Sequence, residues 1–379
     1  MKAGWNIKPF DECIAKVTYT TKIPRQKFLS NGAFPIISQE AELINGYWDN
    51  EDDLFTVKSP VVIFGDHTKI FKFIDFDFIL GADGVKILQP NDFLNPKFFY
   101  YQLQATPLDS LGYARHYKLL KGLQVKYPPL PEQQRIVAIL DEAFEAIAAA
   151  HTNAEQNRQN ARALFESYLQ SVFSQRGEGW VDKPIGELCQ RLHQGLNTAG
   201  EKIKFVETGY PIIQTRNIDE GVVDLNHQMK FMSEDDWHLY RDKYRPETGD
   251  VFFTNIGTIG KTAIVKEERD YLIHWNIFKL RPRFDLISPA YLRYSLEQLT
   301  LSGYFKRMQK GGTVDFVTKK MISEATLSLP SMTIQADIVC QMDSLREKTQ
   351  RLESLYQRKI AALDELKQSL LQQAFSGQL

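Results

Sequence analysis

An internal repeat is the feature of this sequence that most limits what the chain can fold into. Residues 128–174 align with residues 330–376 at a constant offset of 202, without a gap, and 12 of the 47 aligned positions carry the same residue. Each copy begins at a proline, contains no glycine and ends near a glycine, Gly177 or Gly377, as long helices do. The repeat therefore predicts two related helices, each roughly 60 Å long at ~1.5 Å per residue.

Apolar residues recur in both copies at alternating steps of four and three residues. One such stripe is also typical of the core face of an ordinary helix, but two stripes in the same phase favour the seam of a coiled coil. The middle of the first stripe is small and the middle of the second is large, so we expect the helices to pack antiparallel, midpoint against midpoint. The predicted seam comprises Ile136, Leu140, Ile147, Ala154, Ala161 and Leu164 in the first copy, and Ile338, Met342, Leu345, Leu352, Tyr356, Leu363 and Leu366 in the second.

A loosely related segment precedes each helix. Residues 5–12 and 180–187 share Trp, Lys, Pro and Glu at an offset of 175, and a Pro-Ile-Ile triplet recurs at 35–37 and 211–213. Both segments contain short β-rich runs broken by Gly, Asp and Asn, which is typical of strands and hairpins. The predicted fold class is α+β, with two α/β domains, each followed by a long helix, and the two helices packing as an antiparallel coiled coil. The predicted parts are a first globule (1–127), a long helix (128–178), a second globule (179–328) and a second long helix (329–379).

Composition and charge exclude several classes of protein. Hydrophobic residues make up 43% and charged residues 25% of the chain, the balance of a globular protein rather than a disordered or membrane-embedded one. Three widely separated cysteines argue against a disulfide framework and for a reducing cytoplasm. The sequence shows no signal-peptide pattern and no apolar run approaching ~18 residues. The formal net charge of −1 does not support nucleic-acid binding, which must be argued from local features.

None of the catalytic motifs that we tested is present. The chain lacks the Asn/Asp-Pro-Pro-aromatic loop of adenine methyltransferases. Gly260-Lys261-Thr262 resembles the end of a P-loop, but Asn255 stands in place of the first glycine and a strand-like run follows. The acidic-x-Lys element of restriction-type nucleases occurs inside a predicted helix, at 365–367, and the seven histidines show no metal-ligand spacing. We therefore expect no catalytic residue, no metal site and no cofactor in this chain.

Loops rich in Gly, Asn, Thr and Lys leave the short strands of both globules. Backbone N–H groups and short polar side chains bind phosphate oxygens, and Arg, Lys, Asn and Gln read base edges in the major groove. Considered alone, these loops are more simply interpreted as ordinary hairpin turns. The candidate DNA-contacting residues are Gly65, Asp66, His67, Thr68, Lys69, Arg115, Lys118 and Lys121 in the first globule, and Gln214, Arg216, Asn217, Asn255, Gly257, Thr258, Gly260, Lys261 and Lys310 in the second.

The order globule, helix, globule, helix resembles the specificity (S) subunit of type I restriction–modification enzymes, over essentially the whole chain. The second helix departs from the first at one point, because Thr333-Ile334-Gln335-Ala336 stands where the first has Pro131-Glu132-Gln133-Gln134. Only the first glutamine of that run is retained. The motifs that carry the resemblance are Pro128-Pro129-Leu130-Pro131-Glu132-Gln133-Gln134-Arg135-Ile136-Val137, Leu366-Lys367-Gln368-Ser369-Leu370-Leu371-Gln372-Gln373-Ala374-Phe375-Ser376-Gly377, Phe64-Gly65-Asp66-His67-Thr68 and Gly257-Thr258-Ile259-Gly260-Lys261.

The resemblance implies a role for each part of the chain. Each globule would be a target recognition domain that reads one half of a bipartite, asymmetric site in double-stranded DNA. The helices would set the half-site separation and dock two methyltransferase (M) subunits, which bind S-adenosylmethionine and methylate adenine. Restriction (R) subunits would use ATP and Mg to translocate and cut DNA. The S subunit itself would be non-catalytic, cytoplasmic and without a membrane partner.

Two other interpretations stay open. An S-like recognition subunit of a type II methyltransferase–nuclease system would share all of these features and differ only in its partner. A coiled-coil scaffold whose globules bind protein would show no salt-dependent DNA binding, even with a methyltransferase present.

Overall fold

A computed structural model describes residues 4–82, 84–109, 112, 114–175, 177–219, 221–308 and 316–379. Lys310, one of the candidate DNA-contacting residues, lies outside the described residues. The chain divides into two compact units. The first unit comprises Met1–Glu155 and Gln357–Leu379, and the second unit comprises Gln156–Tyr356. Each unit therefore contains one globule together with parts of both long helices.

The first globule combines β-sheets with short helices. Its strands are β1 (Asn6–Pro9), β2 (Ile14–Ala15), β3 (Lys22–Ile23), β4 (Phe34–Ile37), β5 (Gly46–Trp48), β6 (Leu54–Phe55), β7 (Val61–Gly65), β8 (Phe71–Ile74), β9 (Phe78–Gly81), β10 (Val85–Pro90) and β11 (Gln124–Tyr127), and its helices are α1 (Phe10–Cys13), α2 (Pro96–Ala105) and α3 (Tyr117–Lys121). One sheet has the order β2-β10-β7-β8, a second has β3-β9-β4-β5 with β6 also paired to β9, and β1 pairs with β11. The long helix α4 (Leu130–Ser174) follows.

The second globule repeats this plan with additions. Its strands are β12 (Val181–Pro184), β13 (Cys189–Gln194), β14 (Tyr210–Ile213), β15 (Ile218–Asp219), β16 (Val222–Val223), β17 (Lys230–Met232), β18 (Val251–Thr254), β19 (Thr262–Ile264), β20 (Leu272–Ile273), β21 (Ile277–Pro282) and β22 (Thr326–Leu329), and its helices are α5 (Ile185–Leu188), α6 (Glu234–Tyr244), α7 (Pro289–Leu301), α8 (Tyr304–Met308) and α9 (Lys319–Glu324). The long helix α10 (Met332–Ser376) follows.

The central sheets of the two globules share one topology and one register. The order β13-β21-β18-β19 in the second globule matches β2-β10-β7-β8 in the first. Val62 lies opposite Leu88 in the first sheet, and Val251 lies opposite Leu280 in the second. The β7–β8 hairpin is therefore equivalent to the β18–β19 hairpin, although the loop sequences differ.

Helix α2 of the first globule and helix α7 of the second begin with the same kind of N-cap. The side chain of Asn95 accepts the N–H of Phe98 at the start of α2, and that of Ser288 accepts the N–H of Tyr291 at the start of α7. A proline occupies the first helical position in both cases. Such caps satisfy backbone donors that would otherwise lack partners, so the sequence itself fixes where these two helices start.

The long helices α4 and α10 pack against each other, and the predicted fold class is confirmed. In the first unit, Ile136 and Leu140 near the start of α4 share a core with Leu371 near the end of α10. In the second unit, Leu169 near the end of α4 shares a core with Met342 near the start of α10. These contacts make the pair antiparallel. Among the described residues, no helix is long and apolar enough to cross a membrane.

The predicted seam is wrong at three positions. Leu164, Leu352 and Leu366 are 54%, 39% and 46% exposed, whereas Phe165 and Leu169 are buried. A strict heptad repeats every 3.5 residues, but an α-helix turns every 3.6, so the contact stripe drifts by one position over several heptads. The other predicted seam residues are buried or half-buried, namely Ile136, Leu140, Ile147, Ala154, Ala161, Ile338, Met342, Leu345, Tyr356 and Leu363.

Candidate nucleic-acid interface

The turn between β7 and β8 is held rigidly by its own backbone and side chains. The hydroxyl of Thr68 donates to the carbonyl of Gln39 at 2.6 Å, and Lys69 has a left-handed φ of 61°. A Cβ atom at Gly65 would lie 2.2 Å from Thr68 Oγ1, so only glycine fits there. The tip of the turn, at His67 and Thr68, therefore has a fixed conformation before any ligand binds.

Asp66 connects this turn to a basic segment further along the chain. Its buried carboxylate accepts the N–H of Tyr117 at 2.6 Å, and its carbonyl accepts the N–H of His116 at 2.8 Å. The structure corrects the prediction for Asp66, since a buried carboxylate used inside the globule does not face DNA. Its bonds instead bring the hairpin turn beside the exposed side chains of Arg115, Lys118 and Lys121.

In the second globule, a short 3-10 helix at Thr215–Asn217 follows β14. The amide of Asn217 donates to the carbonyl of His227 at 2.6 Å, and its oxygen accepts the N–H of Gln214 at 3.0 Å. Asn217 is buried, so the prediction that it contacts DNA is corrected to a structural role. Arg216 is exposed and donates to the side chain of Gln228 at 3.2 Å. Gln214 is half-buried.

The loop between β18 and β19 presents a short exposed tip. Thr254 at its base donates to the carbonyl of Thr258 at 2.5 Å and accepts the N–H of Lys261 at 2.9 Å. Gly257 and Gly260 adopt left-handed φ values of 78° and 93°, which glycine alone adopts without strain. Gly257 and Thr258 are the exposed residues of the loop.

Asn255 begins this loop as a buried residue, and its Oδ1 has no partner among the described residues. Burial places it below the exposed tip, and the structure therefore corrects its predicted role as a direct contact. The remaining sites in this loop stay predictions, as does Lys310.

An ion pair joins the two candidate loops of the second globule. The Nζ atom of Lys261 lies 3.0 Å from Oδ1 of Asp219, which follows the 3-10 helix that carries Arg216. Sequence reasoning did not select Asp219, because nothing in its spacing links it to a lysine 42 residues later. The pair brings Arg216 and the hairpin loop to one region of the globule.

A fully buried glutamine anchors the start of each long helix. In α4, the amide of Gln133 donates to the carbonyls of Pro128 at 2.8 Å and Phe93 at 2.9 Å, and its oxygen accepts the N–H of Asn95 at 2.7 Å. Because Asn95 also caps α2, the glutamine ties the first turn of α4 to the start of the helix that packs in the first globule.

Gln335 makes the same three bonds in the second unit. Its amide donates to the carbonyls of Pro330 at 3.1 Å and Leu286 at 2.9 Å, and its oxygen accepts the N–H of Ser288 at 3.0 Å. The other positions of that run are exposed on both helices, except for Glu132, which is half-buried. The geometry thus explains why this glutamine is the residue retained between the two helix starts.

Three of the described titratable groups are shifted strongly by burial, namely Cys13, Cys189 and Lys279. Burial raises the pKa of Cys13 to about 11 and that of Cys189 to about 12, so both thiols are protonated at neutral pH and poor nucleophiles. Burial also lowers the pKa of Lys279 to about 8, but this lysine lies inside a sheet with Asp250 and Arg281. In the described part of the chain, no cluster of three or more His, Cys, Asp and Glu residues could hold a metal ion.

The structure thus contains two related sheets that present different loops. A family model described as the type I restriction modification DNA specificity domain matches residues 4–157 and 177–361. The chain therefore belongs to the type I restriction–modification DNA specificity family, which recognises DNA rather than catalysing a reaction. The predicted resemblance is confirmed.

Two relatives and two solved structures extend this result. The type I restriction enzyme EcoBI specificity subunit of Escherichia coli is 25% identical over 370 residues, which cover 89% of this chain and 76% of that protein. The EcoR124I/EcoR124II specificity subunit of Escherichia coli is 29% identical over 205 residues, covering 50% and 49%. A chain from a structural study of type I R-M complex assembly and conformational transition matches with a TM-score of 0.75, 20% identity and coverage of 100% and 99%. The HsdS subunit from Thermoanaerobacter tengcongensis matches with a TM-score of 0.57, 20% identity and coverage of 100% and 98%. At such identity the structural matches show the fold.

Proposed function

We propose that this chain is the recognition subunit of a type I restriction–modification complex and that each globule reads one half of a bipartite, asymmetric DNA site. The observation that carries the proposal is the equivalence of the β7–β8 and β18–β19 hairpins. The same position in two copies of one sheet presents two different loops. Two related globules with different loops suit a DNA site whose two halves have different sequences.

The chemistry of the exposed residues supports phosphate and base contacts. Arg115, Lys118 and Lys121 beside the first turn supply positive charge. In the second globule the exposed Arg216 does so, next to the half-buried Lys261, which is paired with Asp219. Positive side chains position a protein on the phosphates, while arginine and amide groups discriminate base edges. The formal net charge of −1 fits a subunit that relies on partners for part of its phosphate contacts.

The catalytic work belongs, in this proposal, to other subunits. The antiparallel helix pair sets the half-site spacing and scaffolds two M subunits, with R subunits in the full complex. S-adenosylmethionine would bind to the M subunits, and ATP and Mg to the R subunits, with no cofactor in this chain.

Mapping adenine methylation at base resolution in the source strain, with and without this gene, tests the proposal. We expect one bipartite motif, two short half-sites around a fixed spacer, to lose methylation when the gene is deleted. Complementation with the double variant Arg216→Ala, Lys261→Ala should relax or weaken recognition of one half-site, and Arg115→Ala, Lys118→Ala should affect the other. Each double variant is the control for the other.

Three outcomes would contradict the proposal in different ways. Equal loss at both half-sites from either double variant would remove the assignment of loops to half-sites. An unchanged methylome after deletion would contradict the function, and purification with a partner but without salt-dependent DNA binding would favour the protein scaffold. Loss of the motif together with a fused or two-subunit type II partner would indicate the type II variant of the function.

A further inference from the structure

The start of each long helix carries two anchors to its own globule, and the second lies two turns beyond the glutamine. In the first unit, the hydroxyl of Tyr101 on α2 donates to Asp141 of α4 at 2.5 Å. In the second unit, the hydroxyl of Tyr294 on α7 donates to Asp343 of α10 at 2.5 Å. Each aspartate follows its buried glutamine by eight residues, about 12 Å along the helix.

A basic residue strengthens the second anchor in both units. Lys97 Nζ lies 2.8 Å from Asp141 Oδ2, and Arg293 Nη2 lies 3.6 Å from Asp343 Oδ1. Two directional anchors separated along a helix define its angle as well as its position, in addition to the apolar contacts of the core. Each globule is thus tied to its helix in direction.

From this geometry we propose that Gln133 and Gln335, together with the Tyr101–Asp141 and Tyr294–Asp343 bonds, are positioning residues that determine which DNA spacer length the protein accepts. The inference rests on the proposed function, because it needs the two globules to read two half-sites. The glutamines contact no base in this scheme. They hold each reading loop at one angle to the rod, and that angle selects the separation of the half-sites.

The chemistry of the anchor favours this role over a purely stabilising one. Apolar contacts are non-directional and tolerate small rotations, whereas three hydrogen bonds from one planar amide do not. A fully buried glutamine is also costly unless all its bonds are made. An apolar residue of similar size would fill the same space, and it would lack the orientation that the amide provides.

The test measures spacer preference in the source strain carrying a deletion of this gene. The gene is restored as wild type, Gln133→Met, Gln335→Met or the double variant. Plasmids carry the mapped half-sites at the natural spacer and at spacers one base pair shorter and longer. Gln124→Met is the matched control, because Gln124 is exposed on β11 and makes none of the anchoring bonds.

The measured quantity is the spacer ratio, which is methylation at the natural spacer divided by methylation at the altered spacers. We expect each methionine variant to lower this ratio by roughly three- to tenfold, because that is the size of effect that the loss of one or two net hydrogen bonds gives. The double variant should lower it further. Preference for bases within the half-sites should stay at the wild-type level, and the Gln124 variant should keep the wild-type spacer ratio. A change in base preference with an unchanged spacer ratio would overturn the inference.

Milder variants keep the test decisive if a methionine variant does not accumulate. Tyr101→Phe and Tyr294→Phe remove one hydroxyl each and leave the packing volume unchanged, and they should lower the same ratio by about two- to fivefold. An unchanged ratio in both would overturn the inference. If wild-type protein methylates no bipartite site at any spacer, the proposed function fails instead, so the two failures are distinguishable.

Discussion

The central sheets of the two globules have the same strand order, but they bury different residues at one pair of equivalent positions. In the first globule, Val61 and Ile87 are buried and belong to an apolar core. The equivalent positions in the second globule hold Asp250 and Lys279, which are also buried. Arg281 completes that network, with its guanidinium donating to both oxygens of Asp250 at 2.8 and 3.0 Å.

This difference shows which features the architecture depends on. The polarity of a core position can change from apolar to ionic without changing strand order or register. The junction between globule and helix, in contrast, keeps its glutamine, its tyrosine and its aspartate. The fold therefore tolerates a new core but retains the contacts that set the direction of the helix.

The largest effect should come from breaking the ionic network. Asp250→Val leaves the buried Lys279 and the half-buried Arg281 without the carboxylate that they share, although Arg281 keeps its ion pair with Glu247. We expect the second unit to lose about 3–5 kcal/mol of stability. The triple variant Asp250→Val, Lys279→Ile, Arg281→Gln installs the residues of the first globule and should recover most of that loss. Hydrogen exchange resolved by peptide measures both, since it reports each unit separately.

Two observations would contradict this comparison. A single variant as stable as wild type would show that the network carries little energy. A triple variant no more stable than Asp250→Val would show that the surrounding core of the second globule has adapted to charge and cannot accept the residues of the first.

A smaller effect should follow from trimming the helix pair at equivalent positions. Leu169 and Leu371 are related by the repeat, and both are fully buried, one in each unit. We expect Leu169→Ala to destabilise the second unit and Leu371→Ala the first, each by about 3 kcal/mol. For each variant, hydrogen exchange should accelerate only in peptides of the destabilised unit. This includes peptides that are distant in sequence from the substituted leucine but belong to the same unit.

The matched controls are Leu164→Ala and Leu366→Ala, which are also related by the repeat. Both are exposed and should change stability by less than about 0.5 kcal/mol. If the control variants proved as destabilising as the buried pair, the strict heptad seam predicted from the sequence would be right and the drift of the stripe wrong.

The sequence predicts the elements that follow from periodic or local patterns, and it does not predict contacts between residues that are far apart in the chain. The repeat and its heptads predict two long helices, and the short β-rich runs predict strands in both globules, where the structure has strands such as β7 and β18. The seam failed where a small difference in period accumulates over many turns. The ion pair of Asp219 with Lys261 and the network around Asp250 join residues that are far apart in the sequence, and no spacing in the sequence connects them.

The smallest effect concerns a cation–π contact between α4 and α10 that occurs in both units. In the second unit, the guanidinium of Arg346 lies 4.3 Å from the ring centre of Phe165. The repeat relates these positions to Phe144 and Lys367, and the Nζ atom of Lys367 lies 5.3 Å from the ring of Phe144 in the first unit.

Both units therefore contain a contact between a cation on α10 and an aromatic ring on α4. The two cations do not occupy equivalent positions of the repeat, because each aligns with the aromatic residue of the other unit. Arg346 also forms an ion pair with Glu297. We expect Arg346→Met to cost about 2 kcal/mol, since it leaves Glu297 without its partner, and Lys367→Met less than about 1 kcal/mol. Denaturant unfolding with peptide-resolved exchange measures both. Equal losses would show that the energy lies in the contact between cation and ring that both units share. The expected inequality would assign most of the energy to the ion pair between Arg346 and Glu297.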